Sequence, residues 1–160
     1  MANPVSTFTP AYKRIQQPTE SLDGIACISM ITGKPIADVL KMAVEKFKLR
    51  PSNGPYFFDQ ARLQILLAAH GFVAGNYLEI SAINELPDLA LVWQETDADM
   101  EAGRHLLFHR MQDSGNPKQS VAYLIDPAPQ NNPAMCIRTD FADLDLTYYI
   151  SVHPMKPTSK

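Results

Sequence analysis

Apolar positions follow helical spacing in the first half of the chain and strand-like runs in the second. In residues 23–32, DGIACISMIT, the residues Ile25, Ala26, Ile28, Ser29 and Ile31 are apolar or small on nearly every side. A helix without a polar face is a central, buried one. It starts at Asp23 or Gly24, and Thr32-Gly33-Lys34-Pro35 ends it with a glycine and a proline. Residues 36–48 place Ile36, Val39, Leu40, Ala43, Val44 and Phe47 at i, i+3, i+4, i+7, i+8 and i+11, the stripe of an amphipathic helix. RPSNGP, residues 50–55, reads as a loop. A third helix is predicted over 56–72, with Leu63, Ile65, Leu66, Leu67 and Ala69 inward and Gly71 as its stop.

The pattern then changes. GNYLEI (75–80), LALVWQE (89–95), RHLLFHRMQ (104–112), SVAYLIDP (120–127) and YYISVHP (148–154) read as strands. DSGNPKQ (113–119) and PAPQNNP (127–133) supply turns, the first of them a hairpin loop. Residues 1–16 are polar, with coil or weak strand character. Helices followed by strands predict an α+β domain with an antiparallel sheet. There is no internal repeat.

Composition narrows the function. At 160 residues the chain is read as one domain, 1–160, with 46% hydrophobic and 19% charged residues, as in an ordinary globular protein. The net charge is −3, and no basic cluster exceeds Lys13-Arg14. Neither a nucleic-acid nor a membrane-surface partner is expected on that charge pattern. No apolar run approaches the ~18 residues of a membrane span. The opening Met1-Ala-Asn-Pro lacks the basic and apolar regions of a secretory signal, so a cytoplasmic location is expected. Two cysteines, Cys27 and Cys136, in such a chain are expected to be free thiols. The metal-binding and phosphate-binding signatures Cys-x-x-Cys, His-Glu-x-x-His and the glycine loop are missing, and no cofactor or metal is expected.

Four polar residues stand at telling positions: Gln17 and Asp23 before the buried helix, His105 opening a strand, and Asp126 ending the next one. The order Gln, nucleophile, His, Asp is that of papain-like cysteine peptidases. The segment QPTESLDGIACISMITGKPIADV, together with YFFDQARLQILLAAHGFVAG, ELPDLALVWQ, GRHLLFHRM and VAYLIDP, resembles the bacteriocin-processing, double-glycine-leader peptidases over about residues 12–127. The resemblance implies a papain-like fold: a helical N-terminal half, its central helix buried, packed on a C-terminal antiparallel sheet. It also implies roles. A nucleophile at a helix N-terminus has its pKa lowered by the dipole, the Gln17 amide donates to an oxyanion, His105 moves the proton and Asp126 orients its ring. The departure lies at position 23, where the family's cysteine is an aspartate.

Each residue also has a plainer role. Asp23 is a good helix N-cap, and Asp126 before Pro127 a good turn initiator. Cys27, one turn beyond Asp23, is a substitute nucleophile or a small core residue. Asp23, His105 and Asp126 together are also the donor set of a two-carboxylate, one-histidine metal site. His70 is read as a helix C-terminal residue, His109 as sharing the face of His105, and His153 as solvated in a tail. Trp93 and the Tyr56-Phe57-Phe58 run are read as core, or as pocket lining. Two functions follow. In one, the domain is inactive as a thiol protease and binds a peptide, protein or small molecule in the former active-site cleft. In the other, it is an enzyme of altered chemistry in which Asp23 and His105 act as an acid–base or nucleophile pair.

Overall fold

The first helix, α1 (Asp23–Thr32), ends as its glycine requires: Gly33 takes φ +74° and donates its N–H to the Ser29 carbonyl at 2.9 Å. The computed structural model describes residues 9–50, 56, 58–97, 99, 102–113 and 116–155, without the side chains of 112–113 and 116–119. Residues 114–115, 51–55 and Phe57 therefore lie outside the described residues, and the remainder of the predicted 113–119 turn is strand, because the two strands of the hairpin run on to Asp113 and from Asn116. Every residue from Gly24 to Ile31 is buried, as an all-apolar helix requires. α2 (Ile36–Phe47) turns Val39 and Ala43 fully inward, with Ile36, Leu40, Val44 and Phe47 half-buried beside them.

α3 is shorter than the pattern predicts. It runs Gln60–Ala69 because Asp59 caps it, its carboxylate accepting the Arg62 N–H at 3.0 Å. Leu63, Leu66 and Leu67 face the core, whereas Ile65 is 43% exposed and Ala69 is exposed, against the expectation for both. After Gly71 (φ +90°) the chain enters a strand, β1 (Phe72–Ala74), rather than prolonging the helix.

The strands β2 (Leu78–Glu79), β3 (Leu89–Asp97), β4 (Ala102–Asp113), β5 (Asn116–Ile125), β6 (Ile137–Arg138) and β7 (Leu146–Pro154) complete an antiparallel sheet in the order β1-β7-β3-β4-β5-β6, with β2 also on β7. The result is an α+β domain of three helices and seven antiparallel strands among the described residues. His153 belongs to β7, paired with Val73, rather than to a tail, and it is exposed. No described helix is long and apolar enough to cross a membrane.

Alternation along the strands gives the sheet two apolar faces. Leu89, Leu91, Leu107, Tyr123, Ile125, Ile150 and Val152 pack under the helices. Ala90, Val92, Leu106, Phe108 and Leu124 form a second layer with Leu86, covered by Phe141 and Leu144. Each fully buried leucine contributes about 1.5–3 kcal/mol. The same alternation puts Trp93, His105 and Tyr148 on the helix-facing side, two residues beyond Leu91, Leu107 and Ile150 respectively. There they stand in one row, Trp93 opposite His105 on one side and Tyr148 on the other.

Candidate functional site

The row lies against the N-terminus of α1. A 3-10 turn, Glu20–Leu22, leads into the helix, and its N-cap residue is Leu22 rather than Asp23. Asp23 is the first helical residue, where the dipole favours a negative charge. Its carboxylate turns to β4. One oxygen, Oδ2, accepts both the backbone N–H of His105 at 2.6 Å and ring Nδ1 at 2.8 Å. The role of Asp23 is therefore not that of an N-cap. It fixes the strand and the ring of His105 at once.

The other ring nitrogen of His105, Nε2, lies 2.5 Å from the Tyr77 hydroxyl. Both ring nitrogens are thus engaged, Nδ1–H by the Asp23 carboxylate and Nε2 by the phenol. Burial first, then the carboxylates of Asp23 and Asp59, push the Tyr77 phenol well above its usual pKa. Tyr77 thus stays protonated. The result is a continuous chain, Asp23–His105–Tyr77, with the His105 side chain only 4% exposed.

Tyr77 reaches this point because the chain bulges between β1 and β2. Gly75 donates its N–H to the Ser151 carbonyl at 2.9 Å, and a Cβ there would sit 2.6 Å from Ser151 Oγ. Two glutamines of α3 hold the bulge. Gln60 Oε1 accepts the Tyr77 N–H at 2.6 Å, and Gln64 Nε2 donates to the Gly75 carbonyl at 2.7 Å.

Beside the chain, Tyr77, Trp93 and Tyr148 line an open hollow of about 250 Å³. Tyr77 meets Trp93 edge-on at 6.5 Å between centroids and Tyr148 edge-on at 6.2 Å, while it stacks on His105 at 6.0 Å. Trp93 is half-buried at the rim rather than a core residue. Its indole lies against Gly103, where a Cβ would come within 2.4 Å of Trp93 Cε2.

Two expected roles are corrected. Asp126 does not orient His105. It is held by Arg104 through both carboxylate oxygens (Nη2 to Oδ2, 2.7 Å), by the Ala128 N–H at 2.9 Å and by Gln130 at 2.8 Å. With Asp126 taken by Arg104, the two-carboxylate metal site does not assemble, and no cluster of three or more metal-ligating side chains occurs among the described residues. The orienting role passes to Asp23. Gln17 is buried, but its Nε2 donates to the carbonyls of Thr19 (2.9 Å) and Glu20 (3.0 Å), closing the turn before α1. Two carbonyl acceptors fix which amide atom is nitrogen, so no Gln17 donor is left for an oxyanion. Its buried Oε1 has no hydrogen-bond partner among the described residues.

Cys27 is fully buried. Desolvation first, then the nearby carboxylates of Asp23 and Asp126, raises its thiol well above the ordinary range. It is a core thiol, its weak donor aimed at the His105 carbonyl at 3.9 Å. His109 belongs to a separate cluster, its Nδ1 2.9 Å from Tyr123 Oη and its ring edge-on to Tyr12. His70 Nδ1 lies 2.7 Å from the Leu66 carbonyl at the end of α3, in keeping with a helix-terminal role.

Tyr77 and Arg104 were not anticipated from sequence. Tyr77 sits in a bulge that no periodicity marks. Arg104 had a usable signal, a cation one residue before His105 and, on the adjoining strand, an aspartate at the strand end. No protein-family model matches the chain, and no curated protein matches it by sequence.

Proposed function

We propose that this chain is a papain-like domain of the double-glycine-leader peptidase type, inactive as a thiol protease, that binds a peptide, protein or small ligand in the cleft over the N-terminus of α1. The supporting observation is the use of Asp23. The residue in the place of the nucleophile spends one carboxylate oxygen on two N–H groups of His105. It acts as a clamp, with both nitrogens of the imidazole occupied. The remaining thiol nearby is sealed in the core with its pKa raised, so it offers no thiolate. What remains open beside His105 is the aromatic hollow.

A second reading is favoured by the Asp23–His105–Tyr77 chain. A carboxylate-oriented imidazole with a phenol at the rim of a pocket is a workable acid–base relay for a small substrate. The two readings are separated by quenched-fluorescence peptides carrying a double-glycine leader sequence, together with small ester and amide substrates. The binding reading expects saturable peptide binding without turnover. Turnover by the wild type that is lost in both Asp23→Ala and His105→Ala would overturn it in favour of the relay. Asp23→Cys adds a check, because it places a thiol at the head of α1 beside His105. Rapid alkylation of that thiol, and cleavage of the bound leader, is the expected outcome if the cleft keeps the peptidase layout.

A further inference from the structure

We propose that the Tyr77–Trp93–Tyr148 hollow is an aromatic cage for an alkylated ammonium group carried by the ligand. This rests on reading the cleft as a binding surface, and it names the chemistry that the surface selects.

The argument starts from ring geometry. Tyr77 is inclined at 70° to Trp93 and at 62° to Tyr148, so the three rings form differently directed walls rather than one flat stack. The negative potential of an aromatic ring lies on its face, and three rings inclined to one another line the hollow from different directions. The space they leave, about 250 Å³, is several times the ~30 Å³ share of one water. The rings are held in place. Gly103 lets the indole lie on β4, and Gln60 fixes the backbone of Tyr77. Tyr148 is fixed by the β3–β7 register opposite Trp93.

Charge selects among apolar occupants. Asp23 and Asp59 both act electrostatically on the Tyr77 hydroxyl at the wall of the hollow. Arg104, the cation adjoining His105, is already paired with Asp126. The Asp23 carboxylate stands one imidazole away from the Tyr77 hydroxyl, 2.8 Å from Nδ1, with the phenol 2.5 Å from Nε2. An anion is disfavoured here, and a cation too large and weakly hydrated to prefer water is favoured. An alkylammonium group meets both conditions.

Trp93 is the chain's single tryptophan, so its fluorescence reports the hollow directly. The probes are choline and its neutral carbon isostere, 3,3-dimethylbutan-1-ol, titrated at matched ionic strength. Saturable quenching by choline, with the isostere weaker by about tenfold, is expected from a partly desolvated cation–π site. In Tyr148→Leu, which keeps apolar bulk at a 41% exposed position, the preference for choline should fall toward parity. Equal binding of both probes to the wild type would overturn the cage while leaving a binding hollow. No response to either probe, with amide shifts at Asp23 and His105 on adding a leader peptide, would overturn the cage alone. No response to probes or peptide would end the binding reading as well.

Discussion

Removing the Asp23 carboxylate gives the most direct test of how the site is built. In Asp23→Ala, two N–H groups of His105 lose their acceptor at once, and both belong to a residue only 3% exposed. A hydrogen bond to a charged group contributes ~1.5–3 kcal/mol, and a buried donor left unsatisfied costs ~1–3 kcal/mol. The two bonds share one oxygen, and folding also costs the desolvation of Asp23 itself, so the contributions do not add in full. We expect a loss of about 3 kcal/mol. At ~2.1 cal/mol/K per residue, that corresponds to a Tm lowered by roughly 9 °C for this length of chain. Asp23→Asn keeps a carbonyl oxygen for both donors and removes only the charge, so it should lose about 1 kcal/mol. The assay is urea unfolding followed by Trp93 emission and by far-UV circular dichroism, with coincident curves required before free energies are compared. Hydrogen exchange at the His105 amide gives a local check, because its protection should fall in the alanine variant. A loss below about 0.5 kcal/mol in Asp23→Ala, with the amide still protected, would refute the clamp. Equal losses in the two variants would refute the separate contribution of charge.

Three further outcomes are expected. Cys27 should resist iodoacetamide in the native state and react only as fast as the domain opens, accelerating in urea, while the partly exposed Cys136 reacts first; equal rates followed by mass spectrometry would contradict a sealed thiol. Gly103→Ala brings a Cβ within 2.4 Å of both Trp93 Cε2 and the Gln94 carbonyl, so it should cost about 1–3 kcal/mol and shift the Trp93 emission maximum, and an unchanged spectrum would speak against the packed indole. Burial lowers the pKa of His109 from its ordinary 6.5, so the folded state favours the neutral ring. Stability from this group is present above pH 6.5 and is lost as pH falls from there toward the folded-state value, so His109→Gln should flatten the stability profile in that window, and an identical slope in both proteins would refute the assignment.

The helices and central strands were legible in the sequence where one local rule decided the outcome. Gly33 and Pro35 fix the end of α1, and the Ile36–Phe47 stripe fixes the buried face of α2. The third helix departs from its hydropathy pattern at both ends. Tyr56-Phe57-Phe58 extends its apolar run upstream of the Asp59 cap, and Phe72-Val73-Ala74 is too short a stretch to show strand alternation. Asp23 and His105, expected as neighbours from their chain order, do meet. The role of Asp126 was not legible, since it depends on whether Arg104 or His105 shares its side of the β4–β5 pair. Strand register decides that, and Arg104 reaches it. Tyr77 was hidden for a similar reason: two glutamines of α3 make its bulge, and their hydrogen bonds leave no pattern in hydropathy.

The place of β7 in the sheet constrains how the protein can be made. It is the last of the described strands, yet it lies inside the sheet, between β3 and the β1–β2 edge. On the ribosome, the three helices and the β3–β4–β5 meander emerge before it. Until residues 146–154 follow, the backbone groups of Ala90–Gln94 that β7 will pair have no strand partner on that edge, on a strand that is apolar on both faces. Tyr148 arrives with that strand, so the third wall of the hollow is also the last to be placed. A nascent or truncated chain ending near residue 145 would carry the clamp of Asp23 on His105 but an open, adhesive sheet edge, making the final strand as much a guard against aggregation as a part of the site.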